Sequence, residues 1–114
     1  MKIEKFEDIV AWQKGGDLNI LVNTIFTKSK DYSFKDQIRR ASLSICNNIA
    51  EGFERRSNNE FKHFLYIAKG SCGEVRSMAH VALKCNYINK VEFESLHDKA
   101  LEISKMLSGF IKTL

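Results

Sequence analysis

From Phe93 to Leu114 the apolar residues fall at steps of three and four without a slip: Phe93, Leu96, Ala100, Ile103, Leu107, Phe110, Leu114. That alternation lays one continuous stripe along a helix of 3.6 residues per turn. The chain contains no proline, so nothing along it need break a helix through a missing N–H donor. The same spacing recurs almost everywhere. Asn89, with Glu92 three residues on, supplies a capping-box start for this last helix.

Ser57 and Glu60 repeat the device ahead of a third helix. Its stripe is Phe61, Phe64, Leu65, Ala68, Cys72, Val75, Ala79 and Ala82, and it ends at about Asn86, where Asn86 to Asn89 reads as a turn. A second helix covers roughly Phe34 to Glu51, with Ile38, Ala41, Ile45, Ile49 and Gly52 in line. Gly52 stands where a left-handed C-terminal residue would sit. A first helix runs from about Asp8 to Ser29, with Ile9, Trp12, Leu18, Val22 and Ile25 inward. Gly15 and Gly16 inside it cost roughly 1 kcal/mol each against alanine, which points either to close approach of a neighbouring helix or to plain tolerance. Four amphipathic helices with short connectors predict an all-α fold, an antiparallel up-down-up-down four-helix bundle. At 114 residues, positions 1–114 form one domain able to bury a core without staples.

Several function classes drop out. No uninterrupted apolar run approaches the roughly 20 residues of a membrane span. The N-terminus lacks the apolar run of a signal peptide. Three cysteines, Cys46, Cys72 and Cys85, form no C-x-x-C and fall within predicted helices, where they read as small apolar packing. The expected compartment is the cytoplasm.

Bundles of this kind hold di-iron sites through two Glu-x-x-His motifs, and the chain has Glu60-x-x-His63 and Glu94-x-x-His97. Both sit in the first turns of antiparallel helices, so about 35 Å separates them. They read as capping carboxylates with surface histidines. His80 has no partner at ligand spacing, and no P-loop, G-x-S-x-G or H-E-x-x-H occurs. The expectation is a non-enzyme with no metal and no cofactor.

Two features remain. The first is a polar line on the second helix: Gln37, Arg40, Ser44, Asn47 or Asn48, and Glu51. Arg39 and Arg40 lie at one end of it, and Arg55, Arg56 and Lys62 lie past the other. Arginine's planar fork suits phosphate, and the net charge of +4 with pI near 9.0 permits an anionic partner without demanding one. These five cations, with Asn47 or Asn48 as hydrogen-bond donors, are the candidate nucleic-acid contacts. The competing reading is an ion-pair lattice with Glu51, Glu54 and Glu60. The second feature is apolar surplus. Leu43 and Ala50 on the second helix, and Tyr66, Ile67, Gly70 and Val81 on the third, lie off the core stripes. With the small Gly73 they favour a subunit interface, hence self-association.

The segments Phe6–Lys14, Gln37–Ser71 ("QIRRASLSICNNIAEGFERRSNNEFKHFLYIAKGS") and Leu83–Ile88 resemble, in order over nearly the whole chain, the 23S rRNA intervening-sequence proteins. The family pattern usually has Pro-Ser where Cys46-Asn47 stands, and Lys-Ala where Lys14-Gly15 stands. The resemblance implies an antiparallel four-helix bundle that closes into a ring-like homopentamer. It also implies an association with RNA. Distant relatives of the same fold, the accessory variability determinants of diversity-generating retroelements, bind nucleic acid beside a reverse transcriptase. The partners expected are therefore a second copy of the chain, RNA or DNA, and alternatively a partner protein such as a reverse transcriptase.

Overall fold

Residues 2–114 are described by the computed structural model. Among them the chain forms four α-helices: α1 (Val10–Ile25), α2 (Tyr32–Phe53), α3 (Asn58–Lys84) and α4 (Lys90–Lys112), after a 3-10 turn at Phe6–Asp8. Side chains that accept a backbone N–H set three of the four starts. Asp31 Oδ1 accepts from Phe34 at 3.0 Å, which begins α2 two residues earlier than its apolar pattern suggests. Asn89 Oδ1 accepts from the Glu92 amide at 2.8 Å, and Glu92 Oε1 accepts from the Asn89 amide at 3.0 Å, completing the predicted box. Ser57 Oγ accepts from the Glu60 amide at 3.2 Å, but the Glu60 carboxylate takes the Ser57 hydroxyl at 3.4 Å rather than the backbone amide. α1 follows Ile9 and has no side-chain cap.

Cross-helix contacts show that neighbours run antiparallel. Gly15 lies against Cys46, while Asn19 Nδ2 donates to Ser42 Oγ at 2.8 Å. Gln37 meets Glu74, Ser44 meets Ser71, and Gly52 meets Phe61 and Phe64. Phe61 packs on Phe110, and His80 packs on Phe93. In each pair one number rises as the other falls, which makes the bundle up-down-up-down. Its extents are 43 × 21 × 19 Å, the length of α3 at 1.5 Å per residue by two helix diameters. The predicted stripes form the core: Leu18, Ile38, Ile45, Leu65, Leu96 and Leu107 are fully buried. No helix among the described residues is long and apolar enough to cross a membrane.

Three local expectations are corrected. The first helix ends at Ile25, not Ser29, because Phe26 turns inward, is 1% exposed, and packs on Phe34 with ring centroids 5.8 Å apart. Gly52 is not a left-handed terminator. It lies inside α2, has no positive φ, and is needed for another reason: a Cβ there would come 2.7 Å from Phe64 Cβ. The left-handed position belongs to Asn86, at φ 60°. There the Tyr87 amide reaches back to the Ala82 carbonyl at 2.9 Å and the Asn86 amide to Leu83 at 3.1 Å, the paired bonds of a Schellman end. Finally, Cys46 and Cys72 are buried as expected, but Cys85 is exposed at the α3 terminus. Burial pushes the Cys46 thiol up to about 11 and the Cys72 thiol up to about 12.

Candidate nucleic-acid interface

The predicted polar line on α2 divides along its length. One edge becomes the α2–α3 seam. Asn48 Nδ2 donates to Ser44 O at 2.8 Å and to Ser44 Oγ at 2.9 Å, and the Ser44 and Ser71 hydroxyls meet at 2.9 Å. Ser71 Oγ in turn donates to Ile67 O at 3.2 Å, and Gln37 Nε2 donates to Glu74 Oε2 at 3.1 Å. Asn48 is thus a half-buried residue whose amide protons are taken up by Ser44 of its own helix, and Ser44 carries the contact across the seam to Ser71. Asn47, one position earlier and about 100° around the helix, is exposed.

The cations fall into two groups. Arg39 and Arg40 lie in the N-terminal half of α2, and Arg55 and Arg56 follow its C-terminus. Fifteen residues separate Arg40 from Arg55, about 22 Å along the axis. Arg40 Nε is 2.9 Å from Asp36 Oδ2, with both side chains mostly in solvent. Arg39 points about 100° away from it and borders a shallow depression with Tyr32, Ser33, Lys35 and Asp36. Arg55 is held on two sides: its Nε is 2.9 Å from Glu51 Oε2, and its guanidinium carbon sits 4.7 Å above the centre of the Phe64 ring. Arg56 is exposed, and neither it, Arg39 nor Lys62 makes an ion pair among the described residues. Lys62 is two residues from Phe64, which puts it on the opposite flank of α3 from Arg55.

Sequence reasoning did not foresee a cleft at this end of the bundle. Lys2, Arg55 and Arg56 line it with Ser57 and Asn58 at the start of α3, and Phe53, Phe61 and Phe110 contribute aromatic surface. Its volume is about 500 Å³. Lys2 and Ile3 come from the N-terminal segment, whose return to the α4 C-terminus no helical pattern announces. The cleft thus sets three cations around a concave surface, the arrangement that concentrates anions.

The apolar surplus also takes a definite position. Leu43 is 47% exposed, Tyr66 60%, Ile67 39% and Val81 45%, while Ala50 is half-buried. Gly70 is exposed and, like Gly73, has nothing within 4 Å of where a Cβ would stand. Outside this set Ile20 and Val91 are also exposed.

The two Glu-x-x-His motifs do not meet, and among the described residues no group of three or more histidine, cysteine or acidic side chains converges on one point. His80, expected to lack a partner, instead packs against His97 with ring centroids 5.4 Å apart.

Comparison with known proteins gives a family and a shared fold. The profile of the 23S rRNA-intervening sequence proteins matches residues 7–109. Among solved structures, the fold is shared with a protein of unknown function from the S23 ribosomal protein family of Bacteroides thetaiotaomicron. The TM-score is 0.83 at 26% identity, over 90% of this chain and 98% of that one. Among curated proteins none matches.

Proposed function

The chain belongs to the 23S rRNA-intervening sequence protein family, and on that premise we propose that it is a non-catalytic, cytoplasmic adaptor that binds RNA or DNA through phosphates and acts as a homo-oligomer. The observation that carries the reading is the cleft of Lys2, Arg55 and Arg56, in which Arg56 has no carboxylate partner among the described residues. Exposed Asn47 and Arg39 extend the polar surface toward the other end of α2. The family resemblance supports five copies in a ring, which would repeat the cleft around an axis and turn weak single contacts into avidity. No groove-reading or base-stacking motif is present, so binding is sequence-tolerant and falls steeply with salt.

Fluorescence polarisation with generic single-stranded RNA and DNA, at low and moderate salt, tests this. Arg56→Ala with Lys2→Ala should weaken binding to all sequences alike and flatten the logarithmic salt slope by roughly 0.7–0.9 per lost contact. Arg40→Ala should matter less, because Asp36 already offsets its charge. Absence of binding at low salt would reject the reading. So would unchanged binding after Arg39, Arg40, Arg55 and Arg56 are all replaced by alanine.

A second reading is a homo-oligomeric protein scaffold, with a protein partner such as a reverse transcriptase. It is favoured by the ion pairs at Arg40 and Arg55 and by the exposed apolar residues on α2 and α3. Leu43→Asp with Ile67→Asp should dissociate the assembly in sedimentation. Under this reading nucleic-acid binding is absent both before and after dissociation.

A further inference from the structure

We propose that His80 and His97 form a two-imidazole site for one transition-metal ion of the Zn²⁺ or Ni²⁺ class, joining α3 to α4. The two residues lie 17 positions apart on facing helices and come together only because the Asn86 turn reverses the chain. Their ring centroids are 5.4 Å apart. With metal–nitrogen bonds of about 2.0–2.1 Å, an ion lies roughly 3.2 Å from each centroid, and centroids at this spacing subtend about 115°, close to tetrahedral. The ring planes stand at 84°. That angle is no obstacle, because each lone pair lies in its own ring plane and coordination does not prescribe the twist of a ring about its metal–nitrogen bond.

Three further observations favour coordination over simple packing. Asp98 Oδ1 lies 3.3 Å from His97 Nδ1. A carboxylate there selects the Nδ1–H tautomer and leaves the Nε2 lone pair available, the usual outer support of a metal-bound histidine. Phe93 packs on both rings, with centroids at 4.8 Å from His80 and 5.4 Å from His97, which restrains them on one side. His97 is the half-buried, oriented member of the pair, whereas His80 is exposed and can turn its nitrogen toward the ion. Because no third histidine, cysteine or acidic side chain converges among the described residues, water completes the coordination and the ion exchanges with solvent. Imidazole selects Zn²⁺, Ni²⁺ and Cu²⁺ over Mg²⁺ and Ca²⁺, which require oxygen ligands.

The test uses the untagged full-length chain carrying Cys85→Ser, so that the exposed thiol contributes nothing. Zn²⁺ and Ni²⁺ are titrated separately by calorimetry at neutral pH, with thermal melts in parallel and Mg²⁺ as control. The expected result is one ion per chain, a rise in melting temperature with Zn²⁺ or Ni²⁺ but not Mg²⁺, and a loss of affinity of about tenfold or more in His80→Ala. The exposed His80 ring can be removed without opening the core, and melts without metal verify that the fold survives. His63→Ala, at the opposite end of α3, should bind as the parent does. Lack of saturable Zn²⁺ or Ni²⁺ binding up to about 1 mM, or equal affinity in His80→Ala and the parent, overturns the proposal.

Discussion

Gly52→Ala is the substitution most sharply constrained by the structure. A Cβ at position 52 would stand 2.7 Å from Phe64 Cβ, 3.0 Å from Phe61 Cδ1 and 3.3 Å from the Phe61 carbonyl oxygen. Carbon atoms rest at about 3.5–4.0 Å. Phe61 can turn its ring, but Phe64 Cβ is fixed to its own backbone, so the α2–α3 crossing itself must widen. Overpacking of this kind costs about 1–3 kcal/mol. Alanine also returns roughly 1 kcal/mol of helix propensity, because Gly52 has ordinary helical geometry. With the closest contact between two backbone-anchored carbons, the upper part of the range applies, and the net loss is about 1–2 kcal/mol. Gly16→Ala supplies the internal control: nothing lies within 4 Å of its added Cβ, so it should gain about 0.5–1 kcal/mol from propensity alone. The two variants should therefore differ by roughly 2–3 kcal/mol, or about 8–12 °C in melting temperature for a chain of this size. Urea denaturation with unchanged slope reads the difference directly. Gly52→Ala as stable as Gly16→Ala would refute the close-approach argument, since the propensity gain is common to both.

Three other outcomes follow from local geometry. Asn86→Ala should cost about 1 kcal/mol, because the residue sits at φ 60°, while Asn86→Gly should be neutral or slightly stabilising in the same urea assay. Tyr87→Phe should alter the pH dependence of melting. The Tyr87 hydroxyl, 2.6 Å from Asp31 Oδ2, is the main cause holding the Asp31 carboxyl below its usual range, followed by the Phe34 amide; Asp31 in turn holds the phenol above its usual range. The depressed carboxyl contributes stability above about pH 4 that fades as pH falls through its lowered value; the raised phenol contributes stability below about pH 10 that fades as pH rises through its own. The gap between parent and Tyr87→Phe is thus widest between those limits and narrows outside them. Thiol titration at mildly alkaline pH should find one fast-reacting group, Cys85, with Cys46 and Cys72 reacting only on unfolding, because burial keeps both protonated.

The bundle was legible because helical period and capping chemistry are local. The α4 stripe and the Asn89–Glu92 box lie within one turn or one face, and they appear where the pattern puts them. The α2 and α3 stripes reproduce the buried residues nearly one for one. The errors fall where a local signal has two physical meanings. A glycine near a helix end can serve a left-handed turn or a close crossing; Gly52 serves the crossing, and Asn86 takes the turn. Gly15 and Gly16 looked alike in sequence, but only Gly15 faces another helix, with Cys46 Sγ 3.0 Å from its would-be Cβ.

The candidate sites were less legible because they depend on register between helices, which no single helix encodes. The line from Gln37 to Glu51 was visible, but which edge would face α3 was not. That choice turned Asn48 into a seam residue and left Asn47 outside. Arg39 and Arg40 are adjacent in sequence, yet about 100° of rotation separates their directions. The cleft needs the N-terminal segment to return across the bundle end, and the His80–His97 pair needs α4 to fold back along α3 in the right register. One residue inserted in Tyr87–Ile88 would rotate α4 by about 100° relative to α3 if its axial position held. Such a rotation cannot persist, because it would lift Leu96 and Ile103 out of the core. The insertion must instead be absorbed within the turn itself. The register that brings His97 to His80 is therefore fixed by the buried stripe of α4, and the turn only has to permit it. A one-residue insertion at Tyr87–Ile88 should accordingly leave the metal affinity of the histidine pair within about twofold of the parent while lowering overall stability. Loss of that affinity in a still-folded insertion variant would assign control of the register to the turn.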